Sequence, residues 1–251
     1  MNVHTPNIIT VASGKGGVGK TSFTLNMAHV LATHGGKVLV VDGDTGLANA
    51  DVQLNLTPKA SLADVLAHRC TLAEAITPTP HGFHLLAGSS GHMGLATLAL
   101  PTLAGWMNEL HSLGETYSTI LVDAAAGISP TTLLMCAQSS RALLLTTPDP
   151  ASLTDAYALI KVLWQQHGVN NTQVVMNQAT AREAAQVHTR LAKAVEGFLQ
   201  LPPPPLVGQV PQCKYWSQAV RSHQLVAQVF PKSPGVEALS SLARHVMALK
   251  P

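Results

Sequence analysis

Charge and cysteine are both scarce in this sequence. Only 11% of its 251 residues are charged and the formal net charge is +2, which is little for the basic footprint that non-specific nucleic-acid binding needs. The cysteines, Cys70, Cys136 and Cys213, are odd in number and far apart, with no C-x-x-C pair among them. Neither a disulfide framework nor a zinc or iron–sulfur site is indicated. No apolar run is long enough to span a bilayer, and residues 1–7 have neither the basic nor the apolar region of a signal peptide, so a cytoplasmic protein is expected. The histidines are scattered, and the nearest pair, His81 and His84, has no Cys, Asp or Glu beside it to complete a metal shell. Low complexity is confined to Pro202, Pro203, Pro204 and Pro205, read as a stiff loop from helix to strand rather than a polyproline ligand.

What is present is apolar. Hydrophobic residues make up 46% of the chain, enough for a substantial core, and the length suits a single α/β domain over residues 1–251. Near the start, Ile8 to Ala12 is short, apolar and β-branched, as in a buried strand. Gly14-Lys15-Gly16-Gly17-Val18-Gly19-Lys20-Thr21 follows and satisfies the phosphate-loop pattern G-x-x-x-x-G-K-[ST]. Residues 21–34 then carry Leu25, Ala28, Leu31 and Ala32 at helical spacing. Strand, glycine turn and helix thus come in the order that lets backbone N–H groups and a helix N-terminus close around phosphate oxygens. Lys20 is placed to reach the β- and γ-phosphates and Thr21 to ligate Mg²⁺. Nucleotide binding is the expected chemistry.

Apolar runs alternate with helical patterns over the rest of the chain. Strands are expected at 37–41, 83–86, 119–122, 143–146, 173–176 and 206–208. Short helices are expected at 61–68 and 71–76, each opened by a Ser or Thr cap, and longer ones near 97–113, 151–166 and 180–200. Residues 88–91 read as a flexible link. The alternation implies an α/β fold: a doubly wound, mostly parallel sheet with helices on both faces. Ligands in such sheets bind beyond the carboxyl ends of the strands, where the glycine loop, Asp42, Asp44, Asp123 and Asn177 would converge. Asp42 and Asp44 can point towards a γ-phosphate and its attacking water, whereas Asp51 suits either a functional role or a helix cap. Asp123, closing a buried strand, fits a partner for Mg²⁺. Gly127 fits a hinge, and the Asn177 amide matches an adenine edge.

Taken together these segments resemble the MinD/ParA family of deviant-Walker P-loop ATPases, and more closely its FlhG/FleN branch of flagellar-number regulators. The resemblance rests on Ser13 to Thr21 as the signature loop, Asp44 to Asp51 as the first switch, Asp123 to Ile128 as the second, and Thr147 to Lys161, which is close to the flagellar branch's pattern. It implies that Lys15 is the signature lysine reaching the other subunit's phosphates, that Lys15, Lys20 and Asp44 are catalytic, and that Asp44 orients water. It implies that Gly14, Lys15, Gly16, Gly17, Val18, Gly19, Lys20, Thr21, Ser22, Asn177 and Pro211 bind ATP, and that Thr21, Asp44 and Asp123 hold Mg²⁺. The implied mechanism is a homodimer formed when ATP is bound, recognised by an unidentified activating or cargo protein and dissolved by slow, partner-stimulated hydrolysis.

Three features depart from the family pattern. Val236, Leu239, Leu242, Val246 and Leu249 make an apolar stripe, but only Arg244, His245 and Lys250 supply positive charge near it, so a final helix packed on the domain is expected rather than a membrane anchor. Peripheral contact with the inner membrane stays open. The N-terminal extension by which flagellar members engage a GTPase is not seen in residues 1–7, and Gln212 stands where an acidic residue is common. The alternatives are a ParA-type partition ATPase binding DNA, an iron–sulfur carrier on the same fold, and a non-hydrolysing scaffold.

Overall fold

The structure, a computed structural model of the chain, describes residues 5–44, 46, 48–88 and 100–248. Eight strands form one sheet: β1 Asn7–Ser13, β2 Val38–Gly43, β3 Ile76–Pro78, β4 His84–Leu86, β5 Thr119–Ala126, β6 Arg141–Thr146, β7 Thr172–Asn177 and β8 Leu206–Val210. Their spatial order is β3-β4-β2-β5-β1-β6-β7-β8, and every pairing but β3–β4 is parallel. Between them run α1 Lys20–Thr33, α2 Ala50–Gln53, α3 Leu62–Leu66, α4 Leu72–Ala75, α5 Leu100–His111, α6 Pro130–Ala137, α7 Pro150–His167 and α8 Ala181–Ala194. After the last strand come α9 Lys214–Arg221, α10 Val226–Val229 and α11 Pro234–Ala248.

The central strands are apolar throughout because both faces are covered. Successive side chains of a strand point to opposite faces. Ile9, Val11, Val40, Leu121, Leu143 and Val175 accordingly join one core with α1 and α11. Their neighbours Ile8, Leu39, Val41, Ile120 and Val122 join another with Trp106 and Met107 of α5, and Ala12, Leu144 and Val174 pack with α7. The expected doubly wound sheet is the observed one.

Ser61 and Thr71 open α3 and α4 through capping boxes with Asp64 and Glu74, as expected of those caps. Helix 71–76 is one residue too long: Ile76 leaves the helix and starts β3, the antiparallel edge strand. The helix expected at 180–200 is α8 plus a π turn at Val195–Leu199. Helices α6, α9 and α10 were not anticipated, although α6 carries the signature of Ser129 as N-cap and Pro130 at its first position. The stripe of α11 is packed on the domain as expected, with Val236, Leu239, Leu242 and Val246 buried. Residues 89–91 of the link, 97–99 of the expected helix, and Leu249 and Lys250 lie outside the described residues. Among the described residues, no helix is long and apolar enough to cross a membrane.

Candidate functional site

The carboxyl ends of β1, β2, β5 and β7 meet around the glycine loop. The loop leaves β1 at Ser13, whose hydroxyl donates to the Lys15 carbonyl at 2.9 Å, and enters α1 at Lys20. Its glycines serve different needs. Gly17 and Gly19 have φ of 77° and 87°, a region that favours glycine. A β-carbon on Gly14 would lie 2.3 Å from the Asp155 carbonyl oxygen in α7, and one on Gly19 would lie 2.9 Å from the Asn177 amide nitrogen. Among the described residues, a β-carbon on Gly16 or Gly17 would meet nothing within 4 Å. Gly14 thus seats the loop on α7, while Gly16 and Gly17 border open space.

Lys20 and Asp123 form a buried pair at the floor. The Lys20 ammonium lies 3.4 Å from Asp123 Oδ1, and the Thr24 hydroxyl donates to the same oxygen at 3.4 Å and to the Lys20 carbonyl at 3.0 Å. Burial pushes the Asp123 carboxyl up, opposed by the Lys20 charge and by hydrogen bonds from Thr21 and Lys20. Among the described residues, Asp123 Oδ2 is buried with no hydrogen-bond partner. A buried carboxylate oxygen left unmatched beside a threonine hydroxyl and an open glycine loop is chemically suited to a hard cation and its water shell. Thr24 was missed in the sequence. It lies one helical turn after Lys20, and only its meeting with β5 gives it a role.

Asp42 departs from expectation. Its register partner across β2–β5 is Asp123, yet its oxygens turn back into its own loop. Oδ1 accepts from the Asp44 N–H at 3.1 Å, and Oδ2 accepts from the Asn49 and Ala50 N–H groups at 2.9 Å each. Burial, then the Asp123 charge, push its carboxyl up to about 7 against those three donors. Asp42 therefore organises the 44–50 loop instead of facing a phosphate. Asp44 is half-buried, and its Oδ1 accepts from the Gly46 N–H at 3.1 Å. Asp51 lies in the first turn of α2, whose N-cap is Asn49, and accepts from the Val52 N–H. Gly127 has φ of 94°, and its N–H donates to the Ser13 carbonyl at 2.8 Å, so the segment after β5 is tied to the start of the glycine loop.

The two lysines of the loop have separate partners. Lys15 is half-exposed at the rim, where its ammonium lies 3.0 Å from Asp149 Oδ1. Asp149 is the N-cap of α7 and accepts from the Ser152 N–H at 2.9 Å. Hydrogen bonds from Thr147 and Ser152, with a further contribution from Lys15, hold its carboxyl well below the usual carboxylate range. Beside the start of α1 opens a cavity of about 800 Å³, bounded by Gly19 and Ser22, by Asn177, and by Pro211 and the α9 residues Trp216 and Arg221. Asn177 donates one of its two amide N–H bonds to the Val18 carbonyl at 2.7 Å, leaving its amide oxygen as acceptor and a second N–H as donor.

A family model described as the CobQ/CobB/MinD/ParA nucleotide binding domain matches residues 9–226. The chain belongs to this family. Among relatives, antiactivator FleN of Pseudomonas aeruginosa is 35% identical over 246 residues, covering 98% of this chain and 88% of FleN. Flagellum site-determining protein YlxH of Helicobacter pylori is 28% identical, covering 96% of this chain and 82% of YlxH. Among solved structures, the septum site-determining protein MinD of Pyrococcus horikoshii, complexed with Mg-ADP, superposes with a TM-score of 0.79 at 28% identity, covering 96% of each chain. The glycine loop, the Lys20–Asp123 floor and the adjoining cavity are thus parts of a MinD/ParA-type nucleotide-binding domain, and the orphaned Asp123 oxygen fits the Mg²⁺ that accompanies the nucleotide in that relative.

Proposed function

We propose that this chain is a MinD-like ATPase working as an ATP-dependent dimerisation switch that positions or limits the number of a cellular structure, flagella first. The observation that carries the switch is the division of labour between the lysines. Lys20 is buried on Asp123, whereas Lys15 stands at the rim on a half-exposed aspartate, free to exchange Asp149 for a phosphate presented by a second subunit. The flagellar assignment is supported by the similarity to FleN and YlxH.

In this reading the backbone of Gly14, Gly16, Gly17, Val18 and Gly19, with Lys20, Thr21 and Ser22, holds the phosphates. Pro211 and the Asn177 oxygen receive the base. An acceptor there matches the amino group of adenine and opposes the carbonyl of guanine. Thr21, Asp44 and Asp123 would hold Mg²⁺, which when bound supplies charge neutralisation at the β- and γ-oxygens. Asp44 orients water, and Lys20 with the partner's signature lysine stabilises developing charge. Hydrolysis is slow until an activating or cargo protein binds the homodimer.

The test is light scattering after size exclusion on Asp44→Ala, with Mg-ATP and with Mg-ADP, beside the double variant that also carries Lys15→Ala. A dimer with ATP alone, lost in the double variant, is expected. A mass that ignores the nucleotide would sink the switch.

A further inference from the structure

The cavity wall opposite Asn177 contains a residue that the nucleotide reading has not used. Trp216, in the first turn of α9, lines the cavity and is half-buried. Its indole N–H donates to the Ser22 hydroxyl in the first turn of α1 at 2.6 Å. On its other side the ring lies against α11: a β-carbon on Gly235 would sit 3.1 Å from Trp216 Cζ3 and 3.4 Å from Cε3. The indole is therefore fixed at its nitrogen and along its benzo edge, and it is the aromatic member of the wall, where Lys214 and Arg221 also stand. A second link runs beside it. Asn26 Nδ2 donates to the Ser22 carbonyl at 2.8 Å, while Asn26 Oδ1 accepts from the Ala227 N–H in α10 at 2.9 Å. The α9–α10 segment is thus fastened to the helix that follows the phosphate loop.

Chemistry gives this arrangement a direction. An indole N–H only donates, so the Ser22 oxygen is the acceptor in that bond and its own proton is left to point elsewhere. Next to a phosphate loop, that proton is presented to an anion. The flat ring, pinned on two sides, offers the cavity a preorganised apolar surface of the kind on which nucleobases stack.

We propose that Trp216 is a nucleotide-positioning residue: its indole turns the Ser22 hydroxyl into a donor for the phosphate chain and seats the base–ribose end of the nucleotide against its ring. The proposal rests on the nucleotide-binding reading of the same cavity. Because Trp216 also abuts Gly235, it couples occupancy of the cavity to α9 and α11.

The experiment is calorimetric titration with Mg-ADP on the full chain, with Trp216→Ala and Trp216→Phe, and tryptophan fluorescence in a Trp106→Phe, Trp164→Phe background. Trp216→Ala is expected to weaken Mg-ADP about 10- to 100-fold, the range of a lost stacking platform. Trp216→Phe keeps a ring but loses the N–H to Ser22, so it should recover only part of that loss, and the fluorescence of Trp216 should change with saturation at the calorimetric affinity. Wild-type affinity in the alanine variant, or fluorescence blind to Mg-ADP, would overturn the proposal. So would a phenylalanine variant as weak as alanine with an unchanged melting temperature. If the alanine variant does not fold, the phenylalanine variant and the fluorescence decide the matter. Should the unmodified protein bind no Mg-ADP, the nucleotide reading itself fails, a result distinct from normal binding that ignores Trp216.

Discussion

Gly14 and Gly16 stand two residues apart and are glycine for different reasons. The β-carbon of an alanine at 14 would drive into the backbone of Asp155, whereas the same atom at 16 would enter open space. Backbone cannot rotate aside as a side-chain tip can, so Gly14→Ala should destabilise the fold by about 3 kcal/mol, the upper part of the overpacking range. Gly16→Ala should leave stability within about 0.5 kcal/mol, as at a surface site away from special features. Urea denaturation of the two variants makes the comparison, and equal midpoints would show that α7 can retreat from the loop. The motif pattern fixes Gly14 and leaves position 16 open, and nothing within it names Asp155. The same holds for Asp42. A carboxylate at a strand end beside a phosphate loop reads from sequence as able to face a γ-phosphate and its water, and only the N–H groups of Asn49 and Ala50 closing on it reveal that it organises the loop. The meeting of Lys20 with Asp123 was legible because both positions follow a strand, which one sequence records.

At the level of elements, α7 is where the glycine loop meets its neighbour. Asp149 both caps α7 and holds Lys15. Replacing it by alanine removes the cap and should cost about 1 kcal/mol. Asp149→Asn keeps a capping oxygen and removes the charge, so it should cost less, because an exposed ion pair contributes little by itself. The wild type and the alanine variant should draw together in acid. The wild-type carboxyl ionises at lower pH in the fold than in the unfolded chain, where the ordinary value is 3.8. Its contribution is fully present above that value and is lost as pH falls through the folded pKa. Urea midpoints measured from neutral pH into the acid limb check this. A wild type and alanine variant that keep the same separation at every pH would sink it. Long elements such as α1, α7 and the central strands were readable from their periodicity. β3 was not: three residues ending in Pro78 carry no period, and they become a strand only because β4 lies beside them.

At the scale of the whole molecule, the question is which surface a second copy would cover. Large apolar side chains are exposed at Val52, Leu100, Ile128, Phe198, Val220 and Met247. Val52, Ile128 and Val220 follow the carboxyl ends of β2, β5 and β8, the end of the sheet that carries the glycine loop. Val220 lines the nucleotide cavity, and the Val52 carbonyl is bonded to His223 just beyond α9. The Val52–His223 bond joins the segment after β2 to the end of α9 across a span of sequence that no local pattern could connect. A dimer sandwiching nucleotide between such faces would desolvate Ile128, directly after Gly127. Burying an unpaired charge there is costly, so Ile128→Asp in the Asp44→Ala background should abolish the ATP-dependent dimer. Mg-ADP affinity should be retained, because Ile128 lies outside the cavity lining. Light scattering with Mg-ATP and calorimetry with Mg-ADP read the two effects separately. A dimer that survives the aspartate would move the interface to another exposed apolar site, with Phe198 in the π turn after α8 the first to substitute; loss of Mg-ADP binding would instead assign Ile128 to the nucleotide site.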